Sequence, residues 1–197
     1  MPVYRNIGDY LEFINISNEE DTLFEWKPLK SFRRFDLDLN VVKENPVSDI
    51  FFHRDKGNMK LAYIRINNLI YTVGANIKVQ FQLLEALLEH VSFKFQEMYD
   101  VEVILSYGDF NPAMFNGFKQ VLMNIIINFA NLDLVKRIQV ECRVCKKVLV
   151  LFVKKSMIEN AESYPVPIVY VHEGHAILCF IDQDFHHRGV ELVNITG

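Results

Sequence analysis

The residues best able to do chemistry lie in the last third of this 197-residue chain. Cys142-Arg-Val-Cys145 sits between two strand-like runs, so both sulfurs should meet at one tight turn, the geometry of a zinc knuckle. Further along, His172-Glu-Gly-His175 also falls at an expected turn between strands, with Gly174 supplying a permissive backbone. Together the two turns offer four donors, Cys142, Cys145, His172 and His175, enough for one structural zinc ion in tetrahedral geometry. Cys179 follows closely, but strand alternation puts it on a face that can simply be core.

Other readings of the same residues stay open. The cysteines could be buried as small hydrophobes with no metal at all. A redox pair is a weaker alternative, since the thioredoxin-like motif opens a helix and this one lies between strands. Catalytic zinc, as in a metal-dependent hydrolase, would use His172 and His175 with Glu173 as base, but it needs an open coordination position and a cleft that excludes water.

Elsewhere the groupings are poorer. Asp36 and Asp38 alternate with apolar neighbours and read as the wet face of a strand. His90 stands beside Glu89 on an expected helix with no second ligand near it. The pairs Arg33-Arg34, Lys146-Lys147 and Lys154-Lys155 read as solvated. There is no Gly-rich phosphate loop, Ser nucleophile elbow or dinucleotide fingerprint, which leaves a non-catalytic protein as the expectation.

Composition sets further bounds. Half the residues are hydrophobic and 13% are aromatic, so the chain has the apolar surface to fold throughout. A net charge of -4 argues against a general grip on nucleic acid. A nucleic-acid-associated tail would have to use Lys146, Lys147, Lys154, Lys155 and Arg188 along one edge. The absence of a basic leader and of a long uncharged apolar run points to the cytosol, without membrane insertion. Asn15-Ile-Ser17 and Asn194-Ile-Thr196 match the glycosylation acceptor pattern by accident in that setting. Three cysteines make no disulfide framework.

The elements that must position these groups follow from periodicity. The first 30 residues read as irregular, with a short helix or strand over Gly8 to Ile16 and an acidic turn at Asn18-Glu19-Glu20-Asp21. Strict alternation predicts a strand over Phe35 to Val41. A hairpin is expected from Lys60 to Ile66 and Leu69 to Val73, turning at Asn67-Asn68. Leu84, Leu87, Leu88, Val91, Phe95 and Met98 fall on one face of a helix between Val79 and Tyr99. Asp100 to Ser106 reads as a strand, and Asn111-Pro112 caps a second helix running to about Ala130 with Met114, Phe115, Phe118, Val121, Leu122, Ile125 and Ile126 inward. Beyond a short linker near Asn131 to Lys136, five apolar runs read as strands: Arg137 to Glu141, Val148 to Val153, Ile168 to Val171, Ala176 to Ile181 and Gly189 to Val193. The expected class is α+β, with domains at 1–131 and 132–197.

Two stretches carry a resemblance. Met59 to Ile127, through "YIRINNLIYTVG", "FQLLEALLEHVSFKFQEMYDVEV" and "NPAMFNGFKQVLMNIIINF", resembles the later part of a longin domain, the fold of clathrin-adaptor small subunits, vesicle fusion proteins and the signal-recognition-particle receptor. A profilin-like α/β unit is the neighbouring alternative. "CRVC" followed by "PVPIVYVHEGHAILCFIDQDFHHRGVEL" looks like an archaeal zinc-ribbon-related module, through Phe180, Asp182, Phe185, Arg188 and Gly189. In such modules cysteines complete the second knuckle, where this chain has histidines. The resemblance implies a longin/profilin-like sheet with two main helices, then a small all-β zinc-ribbon-like unit. It also implies a protein partner: a small Ras-like GTPase, a trafficking or regulatory assembly, or a second copy of the chain. Phe81, Leu83 and Phe93 lie off the main stripe of the first helix and are the expected partner-binding residues.

Overall fold

The computed structural model describes residues 7–29, 47–106 and 111–193. The expected strand from Phe35 to Val41, with Asp36 and Asp38, lies outside them, as do Arg33, Arg34 and the tripeptide at Asn194. The architecture is mixed α and β, built from antiparallel sheets, and it divides into two compact units, Met1–Asp133 and Leu134–Gly197. No helix among the described residues is long and apolar enough to cross a membrane.

Among the described residues the first unit holds a five-stranded sheet in the order β2-β1-β5-β4-β3, with β1 at Leu11–Ser17, β2 at Thr22–Trp26, β3 at Phe51–Lys56, β4 at Met59–Ile66 and β5 at Leu69–Asn76. Every neighbouring pair is antiparallel. The acidic turn joins β1 to β2: the Asn18 side chain accepts from the Glu20 and Asp21 amides, at 2.9 and 2.5 Å. The β4–β5 turn forms at Asn67-Asn68 as the spacing predicts, with Asn67 left-handed at φ 54°.

Helix α1, Phe81–Met98, packs against this sheet. Its buried positions include Leu84, Leu88, Val91 and Phe95, as the helical spacing predicts. The N-terminal half is buried on more than one side, since every residue from Gln82 to Leu88 is covered. The second helical stretch is compound: a 3-10 turn over Pro112–Gly117 capped by the Asn111 side chain, then α3 at Phe118–Asn128. Phe118, Leu122, Ile125 and Ile126 are buried here, whereas Met98 and Met114 turn outward.

Phe95 is the hub between these elements. Its ring lies 5.0 Å from Phe118, 5.0 Å from Tyr99, 5.4 Å from Phe115 and 6.2 Å from Tyr71. The near-perpendicular pairs with Phe118 and Tyr71 set positive ring edges against negative faces. Tyr71 thereby marks the helix-facing side of β5, a side it shares with Val73 by alternation.

Between the two helical stretches the structure corrects the sequence reading. Val101–Ser106 is a short helix, α2, not a strand. Asp100 is the reason: its carboxylate accepts from the Val103 amide at 3.2 Å, an N-terminal cap that outweighs the β-branched content of the segment. Strands β2 and β3 were not expected. β3 reads Phe-Phe-His-Arg-Asp-Lys and, among the described residues, is a mostly exposed edge strand, so it lacks the apolar alternation that marks a strand.

The second unit holds a two-stranded sheet, β6 at Val135–Glu141 with β7 at Val148–Lys154. A three-stranded sheet, order β10-β9-β8, comprises β8 at Val166–His172, β9 at His175–Ile181 and β10 at His187–Val193. All five expected strands are present, with a short helix α4 at Lys155–Glu159 added between them. The inward series Ile138 and Val140, Leu149, Leu151 and Val153, Ile168 and Tyr170, and Ile177, Cys179 and Ile181 fill one apolar core. Tyr170 keeps its hydroxyl satisfied there by donating to the Phe152 carbonyl at 2.7 Å.

Candidate metal centre

The alternation that builds the core of the second unit also builds its site. On β6 the inward series Ile138, Val140 runs on one step to Cys142. On β8 the series Ile168, Tyr170 runs on to His172, and on β9 the series Ile181, Cys179, Ile177 runs back to His175. His172 and His175 are directly opposed partners at the β8–β9 turn, where Glu173 and Gly174 take left-handed φ values of 46° and 78°. Three of the four donors therefore continue the inward series of three strands, Cys142 one residue past the end of β6 and still part of the apolar core.

Cys145 arrives from the β6–β7 turn. The Lys146 amide donates to the Cys142 carbonyl at 2.9 Å, and the Cys142 amide donates to the Lys147 carbonyl at 2.9 Å. Lys146 is left-handed at φ 59°, a conformation unfavourable for a side chain beyond Gly or Asn. That turn folds the second thiol back beside the first.

The structure brings Cys142, Cys145, His172 and His175 together, with one donor atom from each all within 4.8 Å of one another. Cys142 Sγ lies 3.8 Å from His175 Nδ1, and Cys145 Sγ lies 3.9 Å from His172 Nε2. With zinc–sulfur bonds of about 2.3 Å and zinc–nitrogen bonds of about 2.05 Å, a tetrahedral ion holds sulfur and nitrogen about 3.6 Å apart. The observed separations exceed that by only a few tenths of an ångström, within side-chain adjustment. The donor set fits a borderline-soft ion that takes thiolate and imidazole.

The electrostatics favour a metal-ready thiolate. Cys142 is pulled down to about 6, chiefly by the Cys145 backbone N–H, with His172 and the Val144 N–H adding to it against the opposing effect of burial. Cys179, by contrast, is buried among apolar neighbours and pushed up to about 11, which marks it as core. Glu173 is turned outward to Lys147, with Nζ at 2.8 and 2.6 Å from its two oxygens. The Lys147 ammonium holds the Glu173 carboxyl below its usual range. This ion pair ties one donor turn to the other across the mouth of the site. It was not foreseen, although the position of each residue next to a ligand was readable.

A second grouping, Asp182, Asp184 and His186, forms the β9–β10 turn. Asp182 Oδ1 accepts from the amides of Asp184 and His186 at 3.0 and 2.8 Å, and Arg188 lies 2.6 Å from Oδ2. The carboxylate is thus occupied in holding the turn. The residues that a nucleic-acid reader would use are partly engaged. Lys154 is only 7% exposed, Lys147 is paired with Glu173, and Arg188 is paired with Asp182.

Of the expected partner-binding residues in the first unit, only Phe93 is open, at 60% exposure, with Lys94 Nζ 5.3 Å from its ring centroid. Leu83 is 1% exposed and belongs to the core, because α1 is covered on more than the one side that a single stripe would suggest. Phe81 is half-buried, stacked on His53 at 4.0 Å with Lys60 Nζ 4.7 Å from its centroid. His53 in turn pairs with the buried Glu85 at 2.9 Å and fastens β3 to α1. Neither a scan against protein-family models nor a search of curated proteins finds a match to the chain.

Proposed function

We propose that the chain is a non-catalytic, cytosolic interaction module. In this reading a longin-like α/β unit is followed by a zinc-ribbon-like β unit, and one structural zinc ion is held by Cys142, Cys145, His172 and His175. The observation that carries it is the convergence of four donor atoms within 4.8 Å at the joint end of two hairpins. Four protein donors leave a tetrahedral ion no open position, which supports a structural role over hydrolysis. Glu173, engaged by Lys147, is poorly placed to act as a base. The run of strand pair, long helix and closing helix supports the longin-like part. The exposed ring of Phe93 supports a protein partner for it, of the Ras-like GTPase or trafficking kind that the resemblance implies.

Metal content decides the first half of the reading. The purified chain should carry, or take up, one zinc per molecule, and His172→Ala should lose that zinc more readily to a competing chelator. Absence of uptake under reducing conditions would refute the structural zinc. For the second half, the chain should bind a purified Ras-like GTPase in at least one nucleotide state, and Phe93→Asp should weaken the complex without unfolding the first unit. Equal binding by the variant would move the partner surface off α1.

A further inference from the structure

We propose that the Cys142–Cys145 turn is an oxidant-sensitive release for the ion: a hydroperoxide oxidises Cys145, Cys142 closes a disulfide onto it, and the ion leaves. The proposal rests on the metal reading above. Its order of events comes from accessibility. Cys142 and Cys179 are fully buried, whereas Cys145 is only partly buried, so Cys145 is the cysteine a small peroxide can reach first. The resolving thiol is already at hand, because the two sulfurs share one turn and lie within 4.8 Å. Closing a disulfide brings them to about 2.05 Å. Cys179 stands in the core series of β9, among Ile168, Ile177 and Val190, and is a spectator.

The chemistry balances in two steps. The Cys145 thiolate attacks the outer peroxide oxygen, the O–O bond breaks, and the departing oxygen takes a proton and leaves as alcohol, or as water when the oxidant is hydrogen peroxide. The Cys142 thiolate then attacks the Cys145 sulfur of the sulfenic acid, the S–O bond breaks, and hydroxide leaves and takes a second proton. Two thiolates are oxidised by two electrons, one hydroperoxide is reduced, and both sulfur donors are lost. The two imidazoles that remain cannot hold a tetrahedral ion alone, so release follows from the donor count.

The test uses the zinc-loaded full chain, treated with hydrogen peroxide while a chromogenic chelator reports free zinc. Dimedone is added in the first moments to trap sulfenic acid, and peptide mapping locates the products. One zinc should be released per disulfide formed, the disulfide should join Cys142 to Cys145, and the early adduct should sit on Cys145. Cys179 should stay a free thiol, and dithiothreitol with added zinc should restore the loaded form. Zinc retained through oxidation, a first adduct on Cys142, or a disulfide involving Cys179 would overturn the proposal while leaving the metal reading intact. A chain that takes up no zinc before the oxidant is added would remove the metal reading, and the proposal with it.

Discussion

Gly74 on β5 lies opposite Phe13 on β1, and the two strands touch there as closely as a backbone and a ring can. A Cβ added at Gly74 would stand 2.7 Å from Phe13 Cδ1 and 2.8 Å from Cζ, and closer still to Cε1. Carbon atoms prefer about 3.5–4.0 Å, so Gly74→Ala must drive the ring aside by roughly an ångström. Phe13 is fully buried and has little room to yield. Overpacking of this kind costs about 1–3 kcal/mol. For a unit of this size each kcal/mol lowers the melting temperature by roughly 3–5 °C. The assay is built into the chain: its single tryptophan, Trp26, is buried in the same sheet and donates Nε1–H to Met123 Sδ at 3.1 Å. Urea unfolding followed by Trp26 fluorescence should show a lower midpoint for Gly74→Ala. Phe13→Leu in that background should recover part of the loss, giving a coupling of about 1 kcal/mol or more in a double-mutant cycle. Additive effects, or an unchanged Gly74→Ala, would refute the reasoning.

Three further outcomes follow from the packing and the charges. Phe95→Ala removes the ring that four other aromatic rings meet, and calorimetry should record a loss of about 3–5 kcal/mol. His172→Ala should weaken zinc binding on the order of 10²–10³-fold in competition with a chromogenic chelator, since a structural zinc contributes roughly 10–16 kcal/mol shared among four donors. Burial pushes Asp182 upward, but the amides of His186 and Asp184 and the Arg188 guanidinium outweigh it and hold the carboxyl below its ordinary 3.8. A depressed folded pKa contributes stability that is present above the unfolded value and lost as pH falls through the folded one. The advantage of the native chain over Asp182→Asn in chemical denaturation should therefore shrink below about pH 4.

What could be read from the sequence was whatever repeats with a clear period. The burial of α1 and α3, the β4–β5 hairpin and all five strands of the second unit follow from apolar spacing. The donor set was legible for a related reason: each donor is next to a turn signal, and strand alternation carries three of the four inward. β3 was hidden because an exposed edge strand carries charges where the pattern demands alternation. α2 was misread because Val101, Val103 and Ile104 favour strands, while the deciding atom was the capping carboxylate of Asp100. Leu83 falls in the core because the N-terminal half of α1 is covered on several sides, whereas Phe93, farther along the helix, stays open.

The same charges that concealed β3 govern how copies of the chain meet. A terminal strand presents a row of unpaired amides and carbonyls, and a flat apolar one invites a neighbouring sheet to continue it. His53, Arg54, Asp55 and Lys56 occupy four consecutive positions on this border, so an approaching identical strand would have to desolvate both signs of charge at once. Charges at a sheet border oppose fibrillar stacking. Concentrated solutions of the native chain should stay clear, and replacing Arg54 and Lys56 with valine should turn the rim of the sheet into a seed for cross-β growth.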